Sequence, residues 1–344
     1  MSSPPIQKTV KQHYVPRLYL RNFKNPDGKL WVYNKATGFI LHSGESKVAF
    51  ENGFYDLVDG SLEGGAAEDW NEKDRGERAM SRFDLELDRV LKLLLSEGQF
   101  VGIKNDIRNA TAFAMAIQHM RTASFRDRMD QVANESMSKL SQSFIELNFP
   151  GQGHLAPTVE LTDAFLRQEH INTILDYDHW RLFGDAIATH RWAFCIAPPG
   201  SSFITSDEPV SMRFHFAGQG PDFGGIKSKG VEIVYPLNIR FALVTREASL
   251  PPLPCSEAMP VQVEPDFVDY CNNLVAANSH RFIFGSSDDF GKITLFLDRN
   301  QELRQRPWGL WETKMSKLRW VKENGRRVPK QDMISQRRFL DINW

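Results

Sequence analysis

The sequence predicts an α+β fold with an N-terminal β-hairpin region, central long helices and a C-terminal, mostly antiparallel sheet. Two observations carry this expectation. The apolar period runs from two to near 3.6 and back to two along the chain, and strands do not alternate regularly with helices as a parallel sheet would require. Trp31 to Tyr33 and Phe39 to Leu41 flank Asn34-Lys35-Ala36-Thr37-Gly38 as a strand, turn and strand, and a third strand is expected from Phe50 to Leu57. After a loop at Gly60 to Gly65, residues Glu77 to Leu95 place Met80, Phe83, Leu87, Val90, Leu91 and Leu94 at helical spacing, and Gly98 ends the run. Asp106 to Leu147 reads as helix, Pro150-Gly151-Gln152-Gly153 breaks it, and Leu161 to Phe183 reads as another. The period then returns to two in Arg191 to Ile196, Ser202 to Thr205, Val231 to Tyr235, Phe241 to Thr245, Arg281 to Phe284 and Ile293 to Leu297.

A chain of 344 residues with 41% apolar and 25% charged side chains buries a sizeable core and has an ordinary globular composition. No apolar run reaches the roughly 18 to 20 residues that span a bilayer, and Met1 to Lys11 lacks the apolar stretch of a secretory signal, so no membrane partner and a cytoplasmic location are expected. Cys195, Cys255 and Cys271 are odd in number and far apart, which fits reduced thiols and gives neither a disulfide framework nor a zinc pattern. The net charge of −1 hides an asymmetry. Arg304 to Arg338 holds eleven Lys or Arg against Glu312, Glu323 and Asp332, with Trp308, Trp311 and Trp320 interleaved. The expected organisation is a single domain over 1–303 and a basic, Trp-containing extension over 304–344. Arg319 and Trp320 in that extension suit phosphate pairing and base stacking with RNA or single-stranded DNA; the alternative is an amphipathic tail docked on the domain.

Three polar motifs stand on apolar frames. In His13-Tyr14-Val15-Pro16-Arg17-Leu18-Tyr19-Leu20-Arg21-Asn22-Phe23, Pro16 fixes its own φ and pushes Val15 toward the extended region, so His13 stands just before a rigid turn. In Ile204-Thr205-Ser206-Asp207-Glu208-Pro209, an apolar strand delivers two hydroxyls and two carboxylates to the point where Pro209 ends regular pairing. Asp207 is there either an active-site carboxylate or a turn former that satisfies backbone donors. In Gln118-His119-Met120-Arg121-Thr122, Gln118 and Arg121 share one face of a helix. Arg121 suits two-pronged contact with a phosphate or carboxylate, or an internal brace to Asp207 or to an acid of the 77–95 helix. Asp176, Asp178 and His179 do not all face one ion on a helix, and Tyr177 and Trp180 favour a docking face there. Gly218 to Gly230 lacks the spacing of a phosphate loop, and no HExxH, GxSxG or dinucleotide fingerprint appears.

His-Tyr-Val-Pro followed by Leu-Arg-Asn-Phe, the Gln-x-x-Arg-Thr stretch and Thr-Ser-Asp-x-Pro together resemble the bacterial family known as domain of unknown function 4238, over roughly His13 to Phe284. The resemblance implies an acid on the helical segment after Phe54-Tyr55. Glu63, Glu68, Glu72, Glu77 and Glu86 compete for that place; Glu86 matches best by its apolar neighbours, and Glu51 is a weaker candidate upstream. It also implies a bacterial, phage-defence context. The candidate catalytic set is therefore His13, Gln118, Arg121, Asp207 and Glu86, with Arg17, Arg21, Asn22, Ser206, Arg319 and Trp320 as substrate-binding residues and room for a divalent cation at Asp207. Acid, base, amide and guanidinium in one pocket suit a nuclease acting on RNA or single strands. A non-catalytic module that binds an anion, nucleotide or peptide end uses the same groups, and a structural adaptor is the third reading.

Overall fold

The computed structural model describes residues 10–56, 75–96, 105–216, 225–253 and 259–305, together with the backbone of four strands within 309–339. The chain opens with β1 (Lys11–His13), a short helix α1 (Arg17–Leu20), the hairpin β2 (Leu30–Asn34) and β3 (Ile40–Ser43), and β4 (Phe50–Asn52). Pro16 precedes α1 at φ −57° and ψ 134°, the geometry its ring and its position dictate. The hairpin reverses where Asn34 Oδ1 accepts the N–H groups of Ala36 and Thr37 and Gly38 adopts φ +72°.

The expected helix over Glu77 to Leu95 is one element, whereas the two expected later helices are each divided by a capping residue. Helix α2 (Arg75–Leu95) is followed by α3 (Asn105–Met120) and α4 (Ala123–Asn148) in place of one run over 106–147. Thr122 leaves helical geometry at ψ 155°, and its hydroxyl accepts from Phe125 N, which restarts the helix on a new axis. Likewise α5 (Asp163–Leu175) and α6 (Tyr177–Thr189) meet at Asp176, whose carboxylate accepts from Asp178 N at 2.9 Å.

Strands β5 (Arg191–Ile196), β6 (Thr205–Ser206), β7 (Ser211–Phe214), β8 (Val231–Pro236), β9 (Phe241–Arg246) and β10 (Val261–Gln262) are followed by α7 (Pro265–Asn278), β11 (Phe282–Gly285) and α8 (Gly291–Arg299). Helix α7 was not expected, although Pro265 starts it and Val268, Cys271, Leu274 and Val275 recur at helical spacing on its buried side. The expected strand at Ile293 to Leu297 is corrected to part of α8. Ile293, Phe296 and Leu297 fit a helix face as well as a short strand, and all three are buried. Loops expected at Gly60 to Gly65, part of Gly218 to Gly230, and Gly98, Cys255, Glu63, Glu68 and Glu72 lie outside the described residues.

Two sheets organise the core. One has the order β10-β5-β9-β8-β7, antiparallel apart from the β10-β5 pair; the other has the order β3-β2-β11-β6 and is antiparallel throughout. The Thr205 to Pro209 motif is the crossover between them, since β6 belongs to one sheet and β7 to the other. Tyr19 locks this crossover to α1: its hydroxyl lies 2.8 Å from Thr205 Oγ1 and 2.7 Å from the Pro236 carbonyl. Tyr19 stacks on Tyr235, and both are fully buried with Trp192, Tyr33 and Tyr55. Cys195 and Cys271 are free and buried. In the C-terminal segment β12 (Gly309–Met315) pairs antiparallel with β15 (Met333–Phe339), and β13 (Arg319–Glu323) with β14 (Arg326–Lys330). The side chains of Arg319 and Trp320, like those of Trp308 and Trp311, lie outside the described residues. Among the described residues no helix is long and apolar enough to cross a membrane.

Candidate functional site: a basic cleft around His13

A cleft of about 540 Å³ opens between β1, α1, the 44–47 turn and α2. Lys11, Arg17, Arg21, Lys47 and Arg121 line it with two carboxylates, Glu77 and Asp84, and the His13 ring. The local fold places His13 there. Strand β1 pairs with β4 with His13 opposite Phe50, and the two rings lie 5.5 Å apart. The Ala49 carbonyl then accepts Tyr14 N at 3.1 Å, with Ala49 at φ +52°, so the chain turns into Pro16 and presents His13 at the edge of the cleft.

His13 is neutral at physiological pH. Burial, followed by the neighbouring positive charges of Arg17 and Arg121, lowers its pKa from 6.5 to about 4, and a hydrogen bond to the Ser46 backbone opposes this only partly. Nε2 is buried and has no partner, so the Ser46 bond belongs to Nδ1, and the ring keeps a lone pair on Nε2. Glu77 is half-buried across the same cleft, and desolvation holds its carboxyl above the usual range against the pull of Arg121. A neutral imidazole and a carboxyl whose pKa is raised by burial therefore share one basic site.

Arg121 joins the cleft as a brace. Its guanidinium donates to Asp84 Oδ1, to the His13 carbonyl at 2.8 Å and to Tyr55 Oη at 3.1 Å, so it fastens β1 and the Phe54-Tyr55 turn to α2 and α3. Gln118, also buried, turns its amide nitrogen to the Tyr14 carbonyl at 3.3 Å. The acid that meets Arg121 is thus Asp84, two residues before Glu86. Glu86 points outward, 64% exposed at its side chain, and pairs with Arg89 at 2.6 Å. Glu51 is exposed on β4. Arg17 and Arg21 reach the cleft edge, where Glu45 also holds Lys24 at 2.6 Å. Glu45 resists its burial and is kept at about 2 by Lys24 and Arg21. Asn22 is half-buried in the turn after α1.

Asp207 is placed differently. Its carboxylate accepts the backbone N–H groups of His280, Arg281 and Phe282 at 2.8, 2.7 and 2.9 Å, and its own N–H donates to the Phe282 carbonyl. It therefore anchors the start of β11 beside β6. Ser206 is consumed locally, its hydroxyl bridging the backbone of Glu208. Glu208, next in the chain, is the buried centre of another network. His119 Nδ1 lies 2.8 Å from it, Thr122 Oγ1 donates at 2.7 Å and Arg128 Nη2 at 3.4 Å. Burial pushes the Glu208 carboxyl up, but Arg128 and His119 prevail and hold it at about 2. The crossover motif and the α3 motif thus interlock through Glu208, and the cleft is formed by His13 with Arg121. Among the described residues no group of three His, Cys, Asp or Glu is arranged to hold a metal ion.

The sequence offered an acid of the 77–95 helix as a partner of Arg121 without naming Asp84, and Glu45, Lys47 and the role of Glu208 were missed. Asp84 carried one usable signal: Glu77, Ser81 and Asp84 fall on one helical face, where Met80 is the buried neighbour. An α+β domain with a basic cleft beside a neutral histidine is the class these features define. The chain belongs to the family described as "Protein of unknown function (DUF4238)", whose model matches residues 11–289. No curated protein and no solved structure matches it.

Proposed function

We propose that the His13 cleft binds the phosphate of a nucleotide or of single-stranded nucleic acid. The observation that carries this reading is the excess of five Lys or Arg over two carboxylates around an imidazole whose Nε2 has no protein partner. Arg17, Arg21 and Lys47 supply charge at the mouth, where a phosphate stays partly solvated, whereas Arg121 shapes the floor. The basic extension over 304–344 is proposed as a separate electrostatic and stacking element on the same strand of RNA or DNA. Anisotropy of a fluorescein-labelled single-stranded RNA tests the reading: affinity falls steeply with salt in the intact chain. Equal affinity for the RNA and an uncharged peptide would overturn it.

Phosphodiester hydrolysis is the second reading, favoured by the pairing of His13 with Glu77 in one cleft. The His13 imidazole would take the proton of the attacking hydroxyl, and Glu77 would protonate the departing oxygen. The base works above about pH 4 and the acid only while Glu77 keeps its proton. Cleavage of the RNA should therefore peak in mildly acidic solution and fall toward neutrality. His13→Gln should abolish cleavage; a rate unchanged in that variant would remove this reading and leave the binding one.

A further inference from the structure

The C-terminal segment is a nested pair of hairpins. Strand β13 returns as β14, and both lie in the chain between β12 and β15, which pair with each other. The outer pair is held to the domain, since β12 runs beside α4. The inner pair forms a sheet of two strands. Such a hairpin is marginal in water unless something adds to its pairing.

The register of the inner pair works against its own stability. Arg319 stands opposite Lys330 and Lys322 opposite Arg327, while Glu323 and Arg326 are its one pair of opposite charge. Residues directly opposite in an antiparallel pair have Cβ atoms about 4.5 to 5.5 Å apart, and like charges there are destabilising. In the outer pair every cation faces an uncharged residue: Lys314 stands opposite Ile334, Arg337 opposite Trp311 and Arg338 opposite Leu310. The opposed cations are thus confined to the inner hairpin. Trp320 and Pro329 form the register pair next to Arg319 and Lys330, on the side of Lys322. Pro329 has no N–H to offer a further strand, so charge rather than strand addition is what β14 presents to a partner.

We propose that the β13–β14 hairpin is an arm that binds the phosphate backbone of single-stranded nucleic acid, which neutralises both like-charged pairs and completes the pairing of the hairpin. The two pairs stand three residues apart, about 10 Å along a strand, so one small anion relieves only one of them, whereas a chain of phosphates relieves both. Trp320, between them in register, suits stacking on a base of the same strand. This inference rests on the nucleic-acid reading above and narrows it, because it assigns the contact within the extension to the inner hairpin and not to β12 and β15.

Charge reversal on one strand separates hairpin stability from binding. Arg319→Glu with Lys322→Glu turns both like-charged pairs into opposite-charged ones, so it should strengthen the hairpin while removing its affinity for phosphates. In the full chain, anisotropy with the fluorescein-labelled RNA should show binding at least about tenfold weaker and a log-log salt slope flatter by about 1.4, two phosphates' worth. Hydrogen exchange should show the amides of β13 and β14 protected on adding RNA to the native chain, and protected without RNA in the double variant. Lys314→Glu with Arg338→Glu, which reverses two charges in the outer pair, should weaken binding less. Should the reversed chain fail to fold, Arg319→Gln with Lys322→Gln should still flatten the slope by the same amount. Full affinity and slope in the double variants, or equal losses from the inner and outer reversals, would overturn the arm and leave the cleft reading standing. No RNA binding by the native chain would overturn both. Co-sedimentation of the native chain, lost in the double variant, with vesicles of equal parts phosphatidylcholine and phosphatidylserine would assign the arm to a membrane and overturn the proposal.

Discussion

His13 and Asp207 both stand at the end of a short strand beside a proline-bearing turn, and the structure uses them in opposite ways. The Asp207 carboxylate is spent on three backbone N–H groups of residues 280–282, with fully buried Lys35 close enough to feel its charge. The His13 ring gives one bond to the Ser46 backbone and leaves Nε2 buried and unpaired beside a basic cleft. A polar residue on an apolar frame is therefore not yet a site. What distinguishes the two is whether the protein itself consumes the hydrogen-bonding capacity.

The largest effect that sharpens this comparison belongs to Asp207. Asp207→Ala leaves three part-buried N–H groups without acceptors and fully buried Lys35 without its neighbouring charge, and should cost on the order of 3 kcal/mol in urea unfolding. A loss under about 1 kcal/mol would mean that the β6-β11 junction does not depend on it. Glu208→Gln comes next, at up to about 3 kcal/mol, because Arg128 stays buried without its carboxylate. Its pH dependence has a definite sign. Glu208 binds a proton at about 2 when folded and at 4.5 when unfolded, so its stabilisation is complete above pH 4.5 and is lost as pH falls toward 2. The gap between native and variant unfolding midpoints should close over that window and stay constant above it.

These two residues also mark how far the sequence could be read. The order of strands, helices and strands was legible because long periodic runs record burial directly. The breaks at Thr122 and Asp176 were not, since a capping Thr or Asp inside an apolar period looks like a tolerated helix residue until its hydroxyl or carboxylate is seen on the next turn's N–H. Helix α7 was not assigned, because its apolar residues Val268, Cys271, Leu274 and Val275 are separated by polar ones over only 14 residues, between strand-like runs. Within the site, His13 and Arg121 could be marked because rare residue types sat among apolar ones. Asp84 and Lys47 could not, since one is an ordinary polar position on an amphipathic helix and the other an ordinary turn lysine. Their meaning arises only when α2 and the 44–47 turn are brought to β1.

A smaller effect falls on the cleft itself. Arg17→Glu with Lys47→Glu should weaken binding of the labelled RNA about tenfold, roughly 1.4 kcal/mol, and flatten the log-log salt slope by roughly 0.7 for each phosphate the cleft no longer neutralises. Both side chains are exposed, so unfolding midpoints should not move by more than about 0.5 kcal/mol. Truncation after Gln305 separates the cleft from the basic extension. Arg304 must be kept, because it donates to Tyr33 Oη and to the Lys35 carbonyl. If the truncated chain retains the full salt slope, phosphate binding belongs to the cleft; if the slope vanishes, it belongs to the extension.

The smallest expected effect concerns Glu86, which the apolar neighbours in sequence put forward as the site carboxylate. On α2 it pairs with Arg89 one turn on, both largely exposed at 64% and 70%. Such pairs contribute about 0.2 to 0.5 kcal/mol in a helix, less at high salt. Glu86→Ala should therefore change stability by no more than that and leave RNA binding and any cleavage unaltered. Asp84→Ala, two residues earlier, should do the reverse, because it frees the Arg121 guanidinium that fixes the His13 carbonyl. Measured side by side, the two variants ask which carboxylate of α2 serves the cleft. A loss of binding in Glu86→Ala with none in Asp84→Ala would move the functional face of the helix away from the basic cleft.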